Sequence, residues 1–256
     1  MGMAATRAIV RPPGRTYPDG LTQQEPRPEV DLDLARRQHQ GYVATLRHIG
    51  LTVTELPADE AHPDAVFVQD RICVVDGQAI VGPSAVPSRD GEAEPLIAIL
   101  GRSYPIVELA PPACLDWGDV LITDDALYVG LSERSNEAAV DGLCRLFAPR
   151  RRVEGVPLPD GLLHLLSGCA SLGGRKLLAL DSLVEFGRSR GFEVIPVAAS
   201  EPLCANVLAV GKRVVVPAGY PLTTARIEDA GFQVQRISLG EFEKRDGGAT
   251  CLSVLY

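Results

Sequence analysis

Residues 162–197 read LLHLLSGCASLGGRKLLALDSLVEFGRSRGFEVIPV, and this stretch decides the fold. LLHLLSGCASL and KLLAL are two apolar runs separated by Gly173-Gly174, which reads as a hairpin. VEFGRSRG then reads as a helix that stops at Gly191, and FEVIPV follows as a strand. Glycine suits the left-handed position just past a helix end. The unit is therefore strand, strand, helix, strand.

Working outward, the same unit recurs. LIAILG precedes YPIVEL, ARIEDAG precedes FQVQRI, and a helix over about Asp33 to Ile49 stops at Gly50 before LTVTEL. Gly50, Gly101, Gly191 and Gly231 occupy the same place in each copy. NEAAVDGLCRLFA followed by VEGVPL is a fifth copy without the terminal glycine. Paired strands precede the helices: AVFVQDRICVV with QAIVG, DVLIT with ALYVG, and NVLAV with RVVVP. Asp76-Gly77, Asp124-Asp125 and Gly211 supply their turns. The first copy has only RAIVR before its helix, and the last segment, TCLSVLY, can supply the missing strand. The period is roughly 42 to 54 residues. A circular array closed by the C-terminal strand accounts for this pattern better than an open sheet of unrelated βαβ units. No linker divides the chain, so a single domain over 1–256 is expected.

Composition narrows the function. Of the 256 residues, 46% are hydrophobic, which is globular and not disordered. The net charge of -8 argues against nucleic acid as a partner, because phosphate binding needs a basic footprint. No apolar run reaches the ~18 residues of a membrane helix, and the start has no apolar core of a secretion signal. A match of Met1-Gly2 and Thr6 to a myristoylation pattern is too short to carry weight. A cytoplasmic protein, monomer or homodimer, without membrane contact, is expected. The six cysteines form no C-x-x-C pair and no zinc spacing, so no metal or cofactor is expected and most thiols should be core residues.

The reactive residues fall at equivalent places in the repeat. Asp64, Gln69 and Asp70 flank one opening strand; Asp116 and Asp119 start the next; His164, Asn206 and Cys251 open the remaining ones. In a circular array these positions converge at one end of the axis. A Cys, a His and several carboxylates there suit a guanidine. The cation accepts carboxylates in its plane, its central carbon is open to a thiolate, and an imidazolium can protonate the leaving nitrogen.

Seven motifs now resemble, in order, the dimethylarginine dimethylaminohydrolase family of the guanidine-modifying pentein superfamily. They are PDAVFVQD (63–70), SRDGE (88–92), LDWGDV (115–120), YVGLSERSN (128–136), LLHLLS (162–167), PAGYP (217–221) and DGGATCLSV (246–254). The resemblance implies an α/β fold, a five-bladed pseudo-symmetric propeller, and hydrolysis of Nω-methylated arginine to citrulline and an alkylamine through a cysteine thiouronium. It implies Cys251 as nucleophile, His164 as general acid/base and Asp116 as their acidic partner. It places Asp64 and Asp70 at the substrate, Arg89 and Arg134 at its amino-acid end, Leu21 on a covering loop, and Asp246 beside a backbone contact.

Two residues depart from the family: Gln69 stands where Glu is usual, and Leu166 where Lys is. Gln69 at the guanidine would hold a cation less firmly, and Gln69→Glu would then lower KM for dimethylarginine. Leu166 would change only a rim charge. A related pentein hydrolase acting on arginine or another guanidine, and a non-catalytic binding pentein like the ribosomal anti-association factors, are the alternatives. The second class lacks the Cys-His-acid set. His39, His48 and His62 read as surface residues, Asp119 as structural, and Trp117 as either a pocket wall or a core residue.

Overall fold

The computed structural model describes residues 5–148 and 150–256; Met1 and Gly2 of the myristoylation pattern lie outside them. Five sheets of three strands each are present among these residues. The first contains β1 (Arg7–Val10), and helix α1 (Leu32–His48) carries the chain to β2 (Thr52–Glu55). The second is β3 (Ile72–Val75), β4 (Gln78–Val81), α2 (Glu94–Leu100) and β5 (Ile106–Glu108). The third is β6 (Val120–Ile122), β7 (Ala126–Leu131), α3 (Glu137–Phe147) and β8 (Arg152–Pro157). The fourth begins with a short helix, α4 (Leu165–Gly168), then β9 (Cys169–Gly173), β10 (Lys176–Ala179), α5 (Asp181–Ser189) and β11 (Glu193–Pro196). The fifth is β12 (Leu208–Val210), β13 (Arg213–Pro217), α6 (Pro221–Asp229) and β14 (Gln233–Ile237). After α7 (Gly240–Glu243), β15 (Val254–Leu255) returns to pair antiparallel with β1. The C-terminal strand thus completes the first blade.

Within each blade the first two strands are antiparallel and the third lies parallel to the second. Parallel pairing requires a crossover, and the helix supplies it. Side-chain caps start two of these helices: Asp31 Oδ1 accepts from Leu34 N–H, and Asn136 Oδ1 from Ala139 N–H.

The core shows why the array is a ring. Five buried clusters are present, and each joins neighbouring blades. Leu109 and Ile80 of the second blade pack with Leu127 and Leu143 of the third. Tyr128 of the third packs with Leu177 of the fourth, and Leu178 of the fourth with Val214 of the fifth. Val215 of the fifth meets Val10 and Tyr42 of the first, and Ile9 of the first meets Ile72 of the second. Every blade buries apolar faces against both neighbours, so a closed five-bladed propeller leaves no unpartnered side. No described helix is long and apolar enough to cross a membrane.

Three local expectations are corrected. Residues 65–70 of AVFVQDRICVV are not strand. Phe67 N–H donates to Asp64 O and Asp70 N–H to Phe67 O, so the backbone runs in tight turns instead of a ladder. LLHLLS is a turn running into α4, with Ser167 N–H on His164 O. Gly101 ends its helix at φ -61, in the right-handed region, whereas Gly50, Gly191 and Gly231 are left-handed as expected. The turns that replace strand are the segments that carry the functional side chains.

Candidate active site

Cys251 lies in the turn before β15, not in the strand itself. Its Sγ accepts from Gly248 N–H at 3.4 Å and from Asn206 Nδ2 at 3.6 Å. Asn206 Oδ1 in turn accepts from Thr250 N–H and Oγ1, both at 2.9 Å, which fixes the amide orientation. Burial, and then the negative charge of Asp70, push the Cys251 thiol up to about 11, against the opposing Gly248 and Asn206 donors.

His164 precedes α4, whose first N–H, that of Leu165, donates to Asp119 Oδ1 at 3.2 Å. Its Nε2 lies 3.6 Å from Asp116 Oδ2. Burial alone would lower the His164 pKa, but Asp116 and the charges of Asp70 and Asp119 outweigh it and the net shift is upward. Burial likewise disfavours the Asp116 carboxylate, yet His164 and Arg89 hold its pKa below the ordinary value. The two shifts agree on an imidazolium–carboxylate pair. Asp116 Oδ1 accepts from Arg71 Nη1 at 2.8 Å.

Asp70 is 4% exposed, with Oδ2 on Arg89 Nη1 at 2.8 Å and Oδ1 without a partner among the described residues. Gly118 lets these groups approach: a Cβ there would sit 2.8 Å from His164 Nδ1 and 3.0 Å from Asp70 Oδ1. Asp119 Oδ2 accepts from the hydroxyls of Ser132 and Ser135, each at 2.7 Å, so it anchors a neighbouring loop, chiefly through hydroxyls.

Cys251, His164 and Asp70 share one cavity of about 150 Å³ with Asp64, Arg89, Arg134, Asp246 and Leu21. Asp116 is wholly buried outside its lining. The loop over the mouth is tied down by two carboxylates. Leu21 N–H donates to Asp64 Oδ1 at 2.9 Å, and Gln23 N–H to Asp246 Oδ2 at 2.6 Å. Burial raises the Asp64 pKa, opposed by Arg89. The two expected arginines differ in state. Arg134 has no side-chain partner among the described residues, whereas Arg89 is 4% exposed and spent on Asp70 and Glu92.

Gln69 is a correction. Successive residues of a 3₁₀ turn point about 120° apart, so Gln69 and Asp70 in the turn Val68–Asp70 do not face the same way. The Gln69 side chain lines a second cavity, of about 270 Å³, formed along the axis by β3, β6, β9, β12 and β15. Leu166 lines that cavity too, so it is not at the rim of the first. Trp117 is fully buried, donates from Nε1 to Ile80 O at 3.0 Å, and packs in the core. His39 is also buried, at 1% exposure beside Phe242, and its pKa falls to about 4. His62 is half-buried against Asp59, and His48 is exposed.

The site includes residues that motif reading passed over. Asn206, singled out by its repeat position but given no role by any motif, donates to the thiol. Arg71, which neutralises the buried Asp116, carries no signal in the sequence, and Glu92, which pairs with Arg89, is marked only as the end of the SRDGE motif. Among the described residues no group of three or more His, Cys, Asp or Glu could hold a metal ion.

The profile of a family described as "N,N dimethylarginine dimethylhydrolase, eukaryotic" matches residues 16–151. The chain is 32% identical over 250 residues to a Pseudomonas aeruginosa N(G),N(G)-dimethylarginine dimethylaminohydrolase, covering 97% of this chain and 98% of that one. It is 35% identical over 257 residues to the Streptomyces coelicolor protein of the same name, covering 98% and 97%. The solved structure of a cysteine-to-serine variant of the Pseudomonas enzyme with citrulline superposes with a TM-score of 0.94, at 31% identity, over 99% of this chain and all of that one.

Proposed function

The chain belongs to the dimethylarginine dimethylaminohydrolase family and is a hydrolase of carbon–nitrogen bonds in amidines, and from that premise we propose that it converts Nω-methylated arginine, dimethylarginine or monomethylarginine, to citrulline and an alkylamine. The observation that carries this reading is the unpartnered, buried Oδ1 of Asp70 in a cavity shared with Cys251 and His164. A guanidinium N–H is the donor that oxygen lacks, and binding there sets the guanidinium carbon beside a thiol and an imidazolium.

The chemistry follows from the charges. A thiol held near 11 is protonated at neutral pH. A guanidinium entering against Asp70 offsets the second of the two effects that oppose ionisation and adds a positive charge beside the sulfur, so the thiol gives its proton to solvent and the thiolate forms when substrate is present. The thiolate attacks the guanidinium carbon. His164, as imidazolium, gives its proton to the leaving nitrogen, and the alkylamine departs with the S–C bond kept as a thiouronium. Neutral His164 then takes a proton from water as its oxygen adds to the same carbon. The S–C bond breaks, the hydroxyl proton passes to the departing sulfur through solvent to restore the thiol, and the neutral ureido group of citrulline remains. Asp116 holds the His164 ring in place throughout.

At the other end, Arg134 supplies the free cation for the substrate carboxylate, and Arg89 lines the same space while holding Asp70. The Leu21 carbonyl, on the loop latched by Asp64 and Asp246, takes the α-ammonium. The test is to incubate the pure protein with arginine, monomethylarginine and both dimethylarginines and to assay citrulline and released amine. Citrulline with methylamine or dimethylamine is expected. Turnover of arginine alone would overturn the proposal. Quenched reactions should show the added thiouronium mass on the Cys251 peptide, and none in Cys251→Ser.

A further inference from the structure

We propose that Gln69 is a positioning residue that ties the nucleophile's turn to the turn supporting the general acid, and that Gln69 and Leu166 are one coupled, uncharged pair on the wall of the axial cavity. The catalytic half of this proposal rests on the functional reading above.

Gln69 reaches both catalytic turns. Its backbone N–H donates to Cys251 O at 3.2 Å. Its side-chain Nε2 donates to Trp117 O at 2.8 Å. Trp117 directly follows Asp116, and the next residue, Gly118, lies against the His164 ring. One residue therefore fixes the spacing between the segments that hold Sγ and the imidazole, without touching substrate. A carbonyl only accepts, so the group facing Trp117 O must be a donor, and the amide supplies one.

A carboxylate would fail at this place. Ionised Glu has no proton to give, so it would set a negative oxygen against the Trp117 carbonyl. The groups around it would not compensate. Asp70 is its neighbour in the same turn and Asp116 precedes Trp117; the cavity lining holds no cation, and Cys73 is its only titratable side chain. Leu166, from α4, lines the same cavity. Gln69 and Leu166 thus share one uncharged wall of this cavity. Gln69 Oε1 is buried without a partner among the described residues, which fits an amide kept for its donor.

Three variants test this: Gln69→Leu, Gln69→Glu, and Gln69→Glu with Leu166→Lys. Each is assayed for kcat and KM on methylarginine across pH. Alkylation of Cys251 by iodoacetamide, followed on the Cys251 peptide by mass spectrometry, needs no substrate and is measured in parallel. Gln69→Leu should lower kcat roughly fivefold to tenfold, the weight of one neutral hydrogen bond, with KM held within about twofold. Gln69→Glu should keep activity at low pH, where the protonated acid still donates, and lose it progressively as pH rises and that proton leaves. The double variant should regain the high-pH activity. A purely structural role would lower stability without creating this new pH dependence. Wild-type kcat in Gln69→Leu, or a wild-type pH profile in Gln69→Glu, overturns the proposal. If wild type turns over no methylarginine, the functional reading fails, and the alkylation profiles of the same variants still decide the role of Gln69.

Discussion

Asp116 Oδ2 lies 3.6 Å from His164 Nε2, while its other oxygen is held by Arg71 at 2.8 Å. The acid is wholly buried, and its contact with His164 is the largest of the effects that raise the imidazole's pKa against burial. That relationship sets the pH range in which His164 can serve as an acid.

Asp116→Asn should therefore move the high-pH limb of kcat to lower pH, because the imidazolium loses its main support. The sign for stability follows from the same shifts. The raised pKa of His164 contributes stability that is full below its unfolded value near 6.5 and is lost as pH rises through the folded value. The lowered pKa of Asp116 contributes stability above about 3.8 that is lost as pH falls through its folded value. Melting temperature measured against pH should show the wild-type advantage over the variant greatest between those limits.

Cys251 should alkylate slowly at neutral pH and faster as pH approaches about 11, its value in the free protein. Half-exposed Cys114 serves as the internal comparison. Cys251→Ser should keep the circular dichroism spectrum and lose turnover. Rapid neutral-pH alkylation of Cys251 would show that the thiolate forms without substrate.

Arg89→Ala and Arg134→Ala should separate. Arg134 is free, so its loss removes a binding contact and raises KM with kcat largely kept. Arg89 is enclosed by Asp70, Glu92 and, at 3.8 Å, Asp116. Removing it leaves buried carboxylates without their cation, a loss of about 3–5 kcal/mol of stability. Thermal melts alongside steady-state kinetics check both outcomes.

Gly118→Ala should cost roughly 10²-fold in kcat, since a Cβ at 2.8 Å from His164 Nδ1 must displace the ring that transfers the proton. Gly77→Ala, at a turn with open space beside it but φ +78, is the control for backbone strain away from the site. It should reduce stability and leave kcat unchanged.

Much of the site was legible because the repeat puts equivalent positions at one end of the axis. Cys251, His164 and Asp70 were placed together by that logic and line one cavity. The same logic misassigned Gln69. Adjacent in sequence to Asp70, it looked like a second guanidine contact, but a tight turn directs neighbouring side chains to different cavities, and no linear pattern records which one faces which.

The sequence by itself determined the architecture: a helix followed by a short strand recurs five times, a glycine ends four of those helices, one C-terminal strand closes the first copy, and local backbone preference and burial act on every copy alike. Only the tertiary structure decided the electrostatics of the site. That Arg89 is spent and Arg134 free, that Arg71 neutralises Asp116, and that Trp117 packs in the core all depend on contacts between distant blades. Charge at a buried site is set by whichever groups the packed ring brings within a few ångströms in a medium that screens poorly, and those neighbours have no periodicity in the chain.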